Sequence, residues 1–248
     1  MEELKLLGVE FGIIPIKQNE YKTAIILLFP YFCGKRKGNI ALYARGEDYH
    51  TVIKRILAPA CEKLIQKYNA KFDIYCDVSP FNEKALAQSA GLGIIGKNGL
   101  LINKKYGSFC FIGIIATTIQ LEPCIAESGI KCSKCNKCMN ACPTNALRDN
   151  DFSCCVSSIT QKKGTLTNAQ EQLLKRTGYA WGCDICQLAC PLNNNINETF
   201  IPEFKENMID FIEIGEMSNI EFKENFINRA FTWRGADVIR RNCECLKT

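Results

Sequence analysis

At 248 residues, with 47% hydrophobic and 23% charged side chains, the chain has the composition of a folded protein with a sizeable core, which excludes disordered and fibrous classes. A net charge of +5 is too mild to name a polyanionic partner, and a single histidine, His50, excludes the His-rich ligand sets of catalytic zinc, copper and non-haem iron. The 16 cysteines follow an opening, Met1-Glu2-Glu3-Leu4, that lacks a secretory signal, so a reducing cytoplasm is expected, where thiols serve metals or redox chemistry rather than disulfides.

The longest apolar run, residues 24–33, is interrupted by Pro30 and is too short to span a bilayer. Its first part, AIILLF at 24–29, reads as a buried strand. Residues 48–68 place Val52, Ile53, Ile56, Leu57, Ala60, Leu64 and Ile65 at helical spacing, with a bend expected at Pro59. A second strand is predicted at 72–78. Ser79-Pro80 then supplies an N-cap and first-turn proline for a short helix to Ala90, which Gly91 ends. Residues 100–103 and 108–118 flank Lys104-Lys105-Tyr106-Gly107 and read as a hairpin, so the front of the chain is a mixed α/β domain around one sheet. Beyond Cys124 the composition shifts to cysteine, asparagine and lysine, with a helix predicted at 168–176. The tail carries helical spacing at Phe204, Met208, Phe211 and Ile212, then near 222–231 and 236–241.

The run CSKCNKCMNACP sets Cys132, Cys135, Cys138 and Cys142 in the pattern C-x2-C-x2-C-x3-C-P of two-cluster ferredoxins. In that arrangement three thiolates hold one 4Fe-4S cube and the fourth reaches the other. GCDICQLACPLN repeats the x2 and x3 gaps and the Cys-Pro ending with Cys183, Cys186 and Cys190, one thiolate short. If the last cysteine of each run crosses over, one cube takes Cys132, Cys135, Cys138 and Cys190. The other takes Cys142, Cys183 and Cys186 and needs a fourth ligand, which Cys154 or Cys155 can supply. A zinc site would leave the Cys-Pro thiols idle, and the remaining cysteines read as small hydrophobes or spare thiols.

AGLGIIGKNG at 90–99 contains G-x-G-x-x-G at Gly91, Gly93 and Gly96. It follows a helix and runs into a strand, the reverse of a dinucleotide fingerprint. Its glycines read as a helix terminator and a turn, or as places where backbone approaches a bulky ligand beside the donors of Lys97 and Asn98. Asp77 reads as a turn cap before Ser79-Pro80 or, at a strand end in a partly dry pocket, as a carboxyl whose raised pKa lets it hold a proton. His50 on an amphipathic helix reads as packing.

YARGEDYH (43–50), CDVSPFNEKALAQSAGLGIIGKNGLLI (76–102), GSFCFIGII (107–115), both cysteine runs and CVSSITQKKG (155–164), with an echo in WRGADVIRRN (233–242), together resemble the epoxyqueuosine reductase family over most of the chain. The resemblance implies a cobalamin-dependent iron–sulfur oxidoreductase that removes the epoxide oxygen from epoxyqueuosine in a tRNA anticodon. Its α+β fold would join a mixed α/β cobalamin-binding domain, nitroreductase-like and reductive-dehalogenase-like, at 1–123 to a ferredoxin-like double 4Fe-4S module at 124–200 and C-terminal helices at 201–248. It implies Asp77 as the catalytic acid and Cys155 as the eighth cluster ligand. It also moves His50 to a pocket position beside Gly91, Gly93, Gly96, Lys97 and Asn98. An external reductant such as ferredoxin or flavodoxin and a monomeric, membrane-free enzyme are expected. Lys131, Lys134 and Lys137 would offset cluster charge, and Lys35, Arg36, Lys37, Lys104, Lys105, Lys162 and Lys163 could follow an RNA backbone, each pair otherwise a solvated turn. A corrinoid reductase of small molecules, an electron carrier with a degenerate catalytic domain and a zinc-ribbon binder are the competing readings.

Overall fold

The computed structural model describes residues 2–133 and 135–247. The chain forms two compact units, each discontinuous in sequence: the first runs through Phe32 and takes Tyr49–Ser133 and Leu192–Ile201, and the second takes Cys33–Asp48, the stretch ending at Pro191, and the chain from Pro202.

In the first unit α1 (Glu2–Lys5) leads into β1 (Glu10–Gln18) and β2 (Tyr21–Pro30); α2 (Tyr49–Tyr68), β3 (Phe72–Tyr75), α3 (Glu83–Ser89), β4 (Ile94–Ile95), β5 (Leu101–Ile102) and β6 (Cys110–Thr117) follow. Four strands form an antiparallel sheet in the order β1-β2-β6-β3, and β4-β5 form a separate pair. The AIILLF run is continuous rather than alternating because β2 lies inside the sheet with both faces covered. Ala24, Ile26 and Leu28 join Ile114, Ala116, Phe81 and Ala87 in one core. On the opposite face Gly113 leaves room for Phe29 and for Ile53 and Leu57 of α2.

Several elements differ from their sequence reading. β1 is a strand that the pattern does not announce, since Pro15 interrupts it; an edge strand tolerates that proline, and the register shifts beside it. Helix α2 continues through Pro59. The cap of α3 is Asn82, whose side chain accepts from the Ala85 N–H at 3.2 Å, not Ser79, because residues 76–81 are used up in a turn. Lys104–Gly107 does close a tight link, with Asn103 and Gly107 exchanging backbone bonds, but β5 pairs with β4 while β6 enters the large sheet.

The second unit is helical: α4 (Lys137–Ala141), α5 (Ala146–Asp149), α6 (Val156–Gln161), α7 (Asn168–Thr177), α8 (Ile185–Leu188), α9 (Pro202–Lys205), α10 (Asn219–Asn225) and α11 (Ala236–Lys247). Helix α7 matches its predicted span and starts with a Thr167–Gln170 capping box. Of the apolar positions at Phe204, Met208, Phe211 and Ile212, only Phe204 lies in a helix, the four-residue α9; Phe204 and Ile212 are buried, but the chain turns left-handed at Asn207 before a helix can continue. Ala41, Val156, Ile159, Leu173 and Leu174 form the core, and buried Asn242 on α11 donates to the Thr160 and Ala180 carbonyls. Among the described residues no helix is long and apolar enough to cross a membrane.

Candidate active site and metal centre

Two groups of side chains carry chemistry, one in each unit. In the first unit, the end of β3 delivers Asp77 at φ +62°, and the first turn of α2 presents Tyr49 and His50. The Tyr49 hydroxyl donates to Oδ2 of Asp77 at 3.1 Å, and Nε2 of His50 lies 3.3 Å from the same oxygen, leaving Oδ1 outside this pair of bonds. Tyr49 is held by stacking: its ring lies 4.2 Å from Phe111 of β6 at an interplanar angle of 6°, with His50 stacked on it at 4.0 Å. Asp77 therefore does not cap the local turn; its carboxylate reaches across to α2.

The sequence reading expected burial to raise the pKa of Asp77, and the structure shows the reverse. The His50 bond, aided by Tyr49, holds the carboxyl below its ordinary value against the opposing effect of burial. The side chain is 63% exposed, too open for desolvation to win. The shifted-up carboxyl is Glu83, raised first by burial; its Oε2 accepts the Asp77 N–H at 3.2 Å, and its Oε1 is buried with no partner. Sequence reasoning missed Glu83, although its place six residues after Asp77 in the first turn of a helix was a visible signal.

The glycine run does follow α3 and lead into β4. The chain's own backbone occupies two of its bare faces: a Cβ on Gly91 would meet the Ala126 carbonyl, and one on Gly93 the Ile102 carbonyl. These glycines therefore serve internal packing, and Gly96 is similarly closed in by the Ile102 and Asn98 side chains. Asn98 itself is buried, takes the Leu100 N–H on Oδ1, and leaves Nδ2 without a partner.

The second unit brings the two cysteine runs together: α4, which carries Cys138, packs on α8, which carries Cys186. Cys142 ends α4 in extended conformation before Pro143, and Cys155 is the residue before α6. The thiols of Cys183 and Cys186 are each pushed up to about 12, chiefly by burial; the neighbouring charges at Cys155 and, for Cys186, at Cys142 and Cys138 add to the effect. Cys142 is held below its ordinary value, burial being outweighed by hydrogen bonds from Thr144 and from the Leu147 and Ala146 amides. Buried thiols that raise one another's pKa need cationic iron in their midst to ionise together, which fits a cluster.

Among the described residues no three His, Cys, Asp or Glu side chains are arranged to hold one metal ion; a cube spreads its thiolates wider than the roughly 3.8 Å that follows from tetrahedral Zn–S bonds. Of the other expected set, Cys132 belongs to the first unit and Cys135, Cys138 and Cys190 to the second. Lys134 lies outside the described residues. Lys35, Arg36 and Lys37 line a pocket of about 500 Å³ in the second unit with Arg45, Asp184 and Phe211, where Asp210 already pairs with Arg36 and Arg45.

Comparison with known proteins matches two family profiles: a 4Fe-4S double cluster binding domain at residues 131–193, and "Epoxyqueuosine reductase QueG, DUF1730" at 17–78. Fold and thiols thus define a mixed α/β protein carrying a double-cluster iron–sulfur domain. The epoxyqueuosine reductase of Leadbetterella byssophila is 32% identical over 259 residues, covering 100% of this chain and 80% of that protein. That of Lactococcus garvieae is 36% identical over 217 residues, 84% of this chain and 60% of the relative. A crystal structure of epoxyqueuosine reductase with a tRNA-Tyr epoxyqueuosine-modified stem loop superposes with a TM-score of 0.84 at 25% identity, covering 99% of this chain and 79% of that one. The chain belongs to the epoxyqueuosine reductase family. It spans 60% of the length of the Lactococcus relative and 56% of the Listeria monocytogenes one.

Proposed function

We propose that this chain reduces epoxyqueuosine to queuosine in the anticodon region of a tRNA, in the cytoplasm. The observation that carries the reading is the Tyr49–His50–Asp77 constellation, in a chain of this family that also bears the double-cluster cysteine pattern. Removing an epoxide oxygen breaks both its C–O bonds, leaves an alkene, and consumes two electrons and two protons to release water. The electrons would come from a one-electron carrier of the ferredoxin or flavodoxin class through two 4Fe-4S clusters. Cys132, Cys135, Cys138 and Cys190 would hold one cluster and Cys142, Cys155, Cys183 and Cys186 the other.

Asp77 is the proton donor to the departing oxygen. Its lowered pKa leaves it ionised at rest, so it must be recharged, and His50 at 3.3 Å is placed to pass the proton. Tyr49 fixes the carboxylate's direction. Cobalamin, the cofactor that the family resemblance implies, supplies a strongly reducing nucleophile when bound. His50, Lys97 and Asn98 are the residues proposed to hold it, and the unpaired buried Nδ2 of Asn98 is a donor available to it.

The test is anaerobic reconstitution with iron, sulfide and cobalamin, then incubation with epoxyqueuosine-containing tRNA and a low-potential reductant. Queuosine detected in the digested tRNA by mass spectrometry is the expected result. No conversion by protein shown to carry both clusters and cobalamin would overturn the proposal.

A further inference from the structure

Among the described residues, every non-glycine position with positive φ is an asparagine except Asp77. Asparagine and aspartate are the non-glycine residues that best tolerate the left-handed region, and at this one position the tolerated side chain is the charged one. The turn is anchored at its ends by buried Cys76 and Phe81 and by Gln18, which donates to the Pro80 carbonyl, but the stretch that carries Asp77 lies open between them. Val78 is 81% exposed, and its N–H closes a tight bond to the Cys76 carbonyl at 2.7 Å.

What reaches the Asp77 backbone is Glu83. Its Oε2 accepts the Asp77 N–H at 3.2 Å from the first turn of α3, a helix capped by Asn82 and seated in the core through Ala87 and Leu86. A rigid element thus grips a strained one by a single side chain. The arrangement sets a second carboxylate near Asp77, at an electrostatic cost that a turn needing no support would not carry. Burial raises Glu83 and the Asp77 charge adds to it, so the pair is held against that repulsion.

We propose that Glu83 is a positioning residue that clasps the Asp77 N–H, locks the 76–82 turn, and thereby aims the Asp77 carboxylate at Tyr49 and His50. The consequence for turnover rests on the reading of Asp77 as proton donor; the clasp is a backbone interaction that can be measured without turnover.

The experiment compares wild type, Glu83→Gln and Glu83→Ala as reconstituted holoproteins. Hydrogen–deuterium exchange is followed by mass spectrometry on the peptide spanning residues 76–82, with kcat and KM measured on epoxyqueuosine tRNA. Loss of this acceptor should make the turn of Glu83→Ala exchange about tenfold faster while α3 is unchanged, and should lower kcat about tenfold or more with KM within about twofold. Glu83→Gln keeps a carbonyl acceptor and should stay near wild type in both readouts. Unchanged exchange in Glu83→Ala, or a Glu83→Gln variant as impaired as Glu83→Ala, overturns the clasp. If wild type shows no turnover, the functional reading fails while the exchange result still decides the clasp. Should Glu83→Ala not fold, Glu83→Leu, which keeps the stem without an acceptor, replaces it under the same expectations.

Discussion

Asp77 illustrates how one carboxylate is tuned by its neighbours rather than by its exposure. His50 and Tyr49 both act on Oδ2, and the first of these contributes most to keeping the group ionised. Because the native pKa lies below the unfolded one, the stabilisation from this contact is present above about pH 3.9 and is lost as pH falls through the lowered native value. A carboxyl NMR titration should therefore place the Asp77 midpoint below about 3.9 in wild type, and His50→Gln should return it toward that value. An unmoved midpoint would show that His50 has no hold on Asp77. The residue's type and place near the end of a strand are visible in the sequence. The direction of its shift is not, because it depends on a helix turn 27 positions earlier folding back beside it.

At the scale of elements, the central sheet depends on one absence. Gly113 lies opposite Leu27 across the β2–β6 ladder, and an added Cβ would sit 2.8 Å from the Phe29 ring and 3.0 Å from Ile53. The two side chains approach from a strand and a helix, so neither can retreat without unpacking α2. Gly113→Ala should destabilise the protein by about 1–3 kcal/mol, read as a lower melting temperature with cluster absorbance retained at room temperature. A variant as stable as wild type would mean that the α2 face has slack. Periodicity revealed α2 and the β2 core run well, since each has a strong local signal. It failed on β1 and on the partner of β5, because strand pairing is settled by which edges meet, not by the residues of either strand alone.

For the molecule as a whole, the metal-bearing unit and the sheet unit draw their stability from different sources. The sheet unit has a continuous apolar core; the other surrounds its thiols with short helices, three of them only four residues long, below the length at which helices persist unaided. Iron should therefore contribute directly to folding of the second unit. Holoprotein should contain about eight irons, the sum of two four-iron cubes. Cys155→Ala should lower this to about four while Cys154→Ala leaves it unchanged, and chelation should speed amide exchange in α4 to α8 before β2 and β6. Equal iron loss from both variants would remove the reason for preferring Cys155.

The sequence by itself determined the cysteine spacing, the apolar run of β2, the amphipathic stripe of α2 and the span of α7 to within a residue, because each is a local pattern whose period or spacing matches one geometry. Only the tertiary structure decided that Asp77 is ionised beside Tyr49 and His50, that Glu83 grips its backbone, and that the chain divides between two discontinuous units. These features arise from contacts between residues distant in the chain or from the path of a turn. Their energies depend on proximity and burial, quantities that exist only once the chain has folded.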